Sequence, residues 1–415
     1  MRTLKSVLIA SLAIISLSAQ AQTVLIRGAT VHTMGKDGIL ENTDVFISGG
    51  KIQKIGQNLP VPQDVHVFEA GGKPLTPGFF AGVTSLGITE VSAVEGSSDA
   101  TLALKEMRPE FNVVPAYNPH SSLIPVTSIE GFSFTLLGAG AKGSIFGGQG
   151  QMVALNGGYE SFIGNPVLFI NVGQDASGLS GGSRAGQWML LNQAMSEADN
   201  PPASNEAALL TRAGRSTLSA YTNDGKVIFN VDRASDILEV LKFAHNYELS
   251  AVVSGGSEAW MVAKQLAVAK VPVLLNPLSN LPGNFDSLGS RLDNAAILNA
   301  AGVTVIFSGA GAHNARKLRQ MAGNAVSYGL PHEAGIAALT SNPARVFGFT
   351  DDQGVIRRNK PANVVLWSGD PLEVTSVAET VIINGELIPM ESRQTKLRDR
   401  YLPQNPDMPR AYIKP

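Results

Sequence analysis

The sequence predicts an α/β protein: a (β/α)8 barrel of the TIM type, inserted in a small β-sandwich formed by both chain ends. Three observations lead there. The first mature residues are short β-rich segments separated by glycines, the same texture returns near the C-terminus, and the middle alternates continuous apolar runs with helix-period stretches. Two halves of a β domain at opposite ends imply a large insertion between them. A chain of 415 residues, 44% hydrophobic and only 16% charged, has the apolar content to fill such a barrel and its appendage.

In chain order, Arg2 and Lys5 precede an apolar run from Ser6 to Ser18, and Ala19-Gln20-Ala21 follows. That is the layout of a secretory signal peptide cleaved after Ala21, too short to serve as a membrane span. The expectation is an exported protein, periplasmic or secreted, with no membrane anchor after cleavage. Residues 22–75 then supply the N-terminal part of the sandwich, in Thr23-Val-Leu-Ile-Arg, Asp44-Val-Phe-Ile-Ser, Lys51-Ile-Gln-Lys-Ile and His66-Val-Phe-Glu. The barrel is expected over 76–350. Its candidate strands begin at Phe132, Val167, Val227, Ala251, Val271 and Val303, and its candidate helices run from Ala234 to Asn246, Ser257 to Ala269 and Asn294 to Ala301. Asp199 to Ser204 reads as an exposed excursion. Residues 351–392, with Asn363-Val-Val-Leu-Trp and the strand from Thr380, complete the sandwich, and 393–415 read as a loose polar tail.

Composition removes several chemistries. The absence of cysteine excludes disulfides, thiolate metal sites and a thiol nucleophile, and a net charge of −2 gives no electrostatic basis for a nucleic-acid partner. Gly138-Ala-Gly-Ala-Lys-Gly-Ser with Gly147-Gly-Gln-Gly lacks phosphate-loop spacing and reads as a mobile loop that could close over the barrel mouth. Gly181-Gly-Ser-Arg-Ala-Gly is no stronger, and there is no Gly-x-Ser-x-Gly elbow. The six histidines form no ligand-spaced cluster. His32, His66 and His245 read as packing or surface residues, whereas His120 and His313 are placed to face the barrel mouth.

The segment Leu75-Thr-Pro-Gly-Phe-Phe-Ala-Gly-Val-Thr-Ser-Leu-Gly resembles the first barrel strand of the metal-dependent amidohydrolases. Gly49 to Gly56, Thr340-Ser-Asn-Pro-Ala-Arg-Val-Phe-Gly and Lys360-Pro-Ala-Asn-Val-Val-Leu-Trp-Ser-Gly-Asp-Pro resemble that family's sandwich and the turn back into it. Asp232-Arg233-Ala234, Asp236-Ile237 and Pro119-His-Ser-Ser-Leu-Ile-Pro-Val-Thr resemble an exported, imidazolonepropionase-like branch. The resemblance implies hydrolysis of non-peptide, often cyclic, carbon–nitrogen bonds with zinc-like divalent ions held by histidine and carboxylate. Here the ligand motif is degenerate. Val83 and Ser85 stand where the first strand has two histidines, and Ala81 where it has an acid. Asn230 replaces a later strand histidine, the next strand ends in Ser254-Gly255-Gly256, and Ser308-Gly309-Ala310 offers no aspartate.

The expectation is therefore a degenerate, pseudoenzyme-like member with no metal cofactor, binding a small polar molecule or a partner chain. Thr84, Ser85, Asn230, Arg233, Ser254 and Asn276 are its candidate ligand-binding residues, with Glu258 a charged neighbour. The alternatives are an active amidohydrolase with a remodelled site, or an accessory subunit of a metal-competent relative; as partners, a homo-oligomer or pairing with an active relative is expected. For a remodelled site Asp232 and His313 are the candidate catalytic groups, beside the acids Glu90 and Glu95.

Overall fold

Both chain ends join in one hydrogen-bonded sheet. The computed structural model describes residues 23–402 apart from 203–207, 223–224 and 310, so the signal peptide, the end of the Asp199–Ser204 segment and the last part of the tail lie outside the described residues. The strands Val24–His32, Ile39–Ser48, Lys51–Gly56, His66–Glu69 and Pro74–Pro77 come from the N-terminal side. Val364–Trp367, Ala378–Ile383 and Glu386–Leu387 return from the C-terminal side. The junction is an antiparallel pairing of Pro74–Pro77 with Val364–Trp367, with Leu75 opposite Leu366. These eight strands form one continuous sheet around their own core of Ile26, Val45, Leu75, Val364 and Ile382.

The second eight-stranded sheet curls into the barrel. Its strands are β1 (Phe79–Thr84), β2 (Phe132–Leu137), β3 (Phe146–Ala154), β4 (Phe162–Asn171), β5 (Lys226–Val231), β6 (Ser250–Gly255), β7 (Val273–Leu275) and β8 (Val305–Phe307). They are buried on both faces, which explains their continuous apolar runs. Side chains alternate with period two. Val227, Phe229, Val253, Val273 and Phe307 pack outward with Ile237, Val240 and Phe243 of the helix Ala234–Asn246. Phe169, Ile228, Val252, Leu274 and Ile306 fill the barrel interior.

One strand departs from the (β/α)8 expectation. β3 runs antiparallel to both β2 and β4, and it contains Gly147-Gly-Gln-Gly, read from sequence as part of a mobile loop. The connections on either side, 138–145 and 155–161, are shorter than the dozen or so residues a parallel crossover needs. Two register shifts against β4 kink the strand, and Gly150 lies at one of them. An added Cβ there would sit 1.8 Å from the Leu137 carbonyl oxygen. The glycines that looked like loop punctuation are what allow β3 to press against its neighbours.

Closure between β1 and β8 also relies on a glycine. Gly82 has φ +87°, and a Cβ on it would lie 3.1 Å from the Ser308 Cα. The Val83 N–H donates to Ser308 Oγ at 2.9 Å, a side-chain bond bridging the seam. The described start of the tail is not loose. Arg393–Tyr401 is helical, opened by a reciprocal cap between Ser392 and Thr395. Among the described residues no helix is long and apolar enough to cross a membrane.

Candidate functional site

The interior alternation carries through to the barrel mouth. Two residues beyond Phe169, Ile228 and Val252, on the same inward face, stand Asn171, Asn230 and Ser254. Strand register places them side by side, Asn171 opposite Asn230 and Asn230 opposite Ser254. Asn230 Nδ2 donates to Asn171 Oδ1 at 2.7 Å. The three polar groups line a cavity of about 310 Å³ at the C-terminal ends of the strands, together with Asp175, Asp232 and Asp286. That end of a parallel barrel is where ligands are handled.

Each aspartate is anchored differently. Asp232 Oδ1 accepts from the Ser257 N–H at 3.0 Å and from Ser257 Oγ at 2.7 Å, which ties the end of β5 to the turn after β6. Glu258 reinforces that turn from a buried position, accepting from the N–H groups of Ala234 and Gly289, both at 3.0 Å. Asp175 is exposed and receives only a long bond, 3.3 Å, from Asn284 Nδ2. Asp286 is buried and ion-paired to Arg184, whose Nε also donates to buried Asp236 at 3.0 Å. One guanidinium thus serves two carboxylates. Ser183 caps the helix Arg184–Asp199, so the glycine-rich stretch before it is a helix entry that places Arg184.

Burial, the largest influence, raises the Asp236 carboxyl above its ordinary value of 3.8 despite Arg184, and the Asp286 charge adds to it. A carboxyl raised on folding contributes most to stability below about pH 3.8 and loses that contribution as pH rises through its folded value. Asp236→Asn should therefore raise the unfolding midpoint at pH 7, with the gain shrinking towards pH 4. A fall at pH 7 would mean that the ion pair with Arg184 outweighs burial.

The sequence candidates divide. Asn230, Ser254 and Asp232 come together in the cavity lining, and the others lie outside it. Thr84 is buried, its hydroxyl bonded to Thr135 at 2.8 Å. The backbone carbonyl of half-buried Ser85 accepts from Ile88 in the turn after β1. Asn276 turns its Oδ1 to the Leu278 N–H, and Arg233 is exposed where it enters its helix. His313 is exposed on the turn Ala312–Lys317. His120 bonds the Tyr159 hydroxyl at 3.0 Å beside a separate hollow. Glu90 is occupied by Asn118 and Ser121, and the Glu95 side chain lies outside what the structure describes. Asn171 was missed, although it ends an apolar strand run just as Asn230 does. Asp175 and Asp286 had no local signal, because only the fold brings their loops to the mouth.

A family model, the amidohydrolase family, matches residues 213–388. Over that stretch the chain is similar to amidohydrolases. It is 25% identical over 399 residues to amidohydrolase tasK of Hapsidospora irregularis, covering 82% of this chain. The match spans only 39% of that relative's length. Among solved structures, an amidohydrolase from Thermotoga maritima MSB8 is similar with a TM-score of 0.78 and 24% identity, over 88% of this chain and 99% of that one. A zinc-bound adenosine deaminase from Xanthomonas campestris shares the fold with a TM-score of 0.53 and 14% identity, over 91% and 97% of the two chains.

Amidohydrolases usually use divalent ions, so the donors at the strand ends decide whether this chain fits such an ion. Val83 has no lone pair to offer, and Ser308 Oγ is engaged by the Val83 N–H. Asn230 points an amide N–H at Asn171, and Gly309 has no side chain. Neutral amides and hydroxyls are poor partners for a zinc-like ion, which prefers imidazole, thiolate or carboxylate. The lining does hold the carboxylates Asp175, Asp232 and Asp286, but Asp232 is tied to Ser257 and Asp286 to Arg184, and among the described residues no three histidines or carboxylates are grouped to hold an ion. This arrangement does not fit the metal amidohydrolases usually use.

Proposed function

We propose that this protein is an exported, ligand-binding member of the amidohydrolase family that holds a small polar molecule in its barrel mouth without a metal ion. The observation that carries the reading is the in-register row Asn171, Asn230 and Ser254, which places amides and a hydroxyl on the inward face at the mouth. Such groups recognise a ligand by hydrogen bonds without activating water. Export rests on the leader layout at Arg2 to Ala21.

The test is Asn230→Leu in the full chain. It should abolish ligand binding, read by calorimetry, and shift unfolding stability by no more than about 1 kcal/mol, the ordinary worth of the one hydrogen bond lost. Unchanged binding would remove the mouth from consideration. A collapse in stability would make Asn230 structural.

A second reading has one observation behind it: Asp232 lines the same cavity and could serve as a general base for hydrolysis. That activity would survive chelation and vanish in Asp232→Asn.

A further inference from the structure

Two independent features of the mouth lining select a class of ligand, given the reading of this cavity as a binding site. The first is polarity within the asparagine pair. Asn230 Nδ2 is spent on Asn171 Oδ1. That leaves Asn171 Nδ2 as a donor and Asn230 Oδ1 as an acceptor, neither with a partner among the described residues. A neutral amide carries the complementary acceptor and donor. The second feature is charge. Asp175, Asp232 and Asp286 contribute to the lining, which contains no lysine, arginine or histidine. Arg184 reaches Asp286 from outside the lining but divides its charge with Asp236, so the two acids together keep a negative excess. An anion would meet Asp175 and Asp232, neither paired with a cation among the described residues, whereas a cation would relieve them.

We propose that the cavity selects a small organic cation bearing a neutral amide. The amide accepts from Asn171 Nδ2 and donates to Asn230 Oδ1, and the ammonium faces Asp175 and Asp232, with Asp286 adding to the local negative field. The volume of about 310 Å³ suits a compact molecule of this kind.

Three amides of similar size and different charge test this against the full chain: glycinamide, propionamide and succinamate. At about pH 6.5 the α-amino group of the first is protonated. Titration by calorimetry or ligand-observed NMR should rank glycinamide at least tenfold tighter than propionamide, with succinamate weakest. The cation's advantage should shrink at about 0.5 M salt, because the mouth is open to solvent. Asp175→Asn changes an exposed, weakly held side chain, so it should fold normally. It should reduce glycinamide affinity at least threefold and leave propionamide affinity unchanged.

Equal or tighter binding of propionamide or succinamate would overturn the cationic assignment while leaving the mouth as the site. No binding of any of the three at tens of millimolar would overturn the amide assignment. Glycinamide binding that persists in Asn230→Leu would instead place the site elsewhere and overturn the underlying reading of the mouth.

Discussion

Gly150→Ala is expected to destabilise the protein by about 3 kcal/mol, a large share of the stability of a typical domain. The added methyl would sit 1.8 Å from the Leu137 carbonyl oxygen and 2.9 Å from its carbon, inside a barrel wall whose ladders hold both strands. Neither strand can yield without breaking its pairing to the next. Equilibrium denaturation in urea measures the loss. Gly178→Ala is the matched control, since its Cβ would meet nothing within 4 Å and its φ of −59° suits alanine. Equal midpoints for the two variants would show that β3 does not lie where it is described.

Arg319→Leu should cost a similar amount for a different reason. Arg319 is only 2% exposed, and its guanidinium donates to the carbonyls of Pro371 at 3.2 Å and of Glu373 and Ser376 at 2.7 Å each. It also lies over the buried Trp367 ring, 5.4 Å from the centroid. Leucine would leave three carbonyls without this donor at about 1 kcal/mol or more apiece, so a loss of about 3 kcal/mol follows. Arg319→Lys should recover only part of it, because a compact ammonium cannot span three separated acceptors as a planar fork does. A leucine variant as stable as the parent would mean that the return strand into the small sheet does not depend on this clasp.

The barrel could be read from the sequence because its strands are buried on both faces and so appear as unbroken apolar runs. The helix Ala234–Asn246 came out with the expected ends for a related reason: its buried residues repeat at helical spacing. β3 was hidden because glycine is the signature of a turn and also of strands packed too closely for a Cβ. Local sequence does not separate the two, and the contact with Leu137 does. The site divided along the same line. Asn230 and Ser254 end strands whose inward parity follows from period two, so their place at the mouth is a local property. Asp286 arrives on the long loop after β7 and is placed by Arg184, a long-range ion pair that no spacing announces. Thr84 shows the opposite failure. It sits on the first strand near the mouth, yet its hydroxyl is turned to Thr135 and takes no part in the lining.

The central proposal is that this barrel mouth binds through amides and carboxylates without the metal amidohydrolases usually carry. Elemental analysis of the full-length protein, purified without chelators or metal-affinity resin, tests it most directly. The account predicts less than about a tenth of an equivalent of zinc, manganese, iron or nickel, because tight sites are normally occupied on isolation. One or two equivalents, lost in Asn230→Leu, would contradict it and return the protein to metal-assisted hydrolysis.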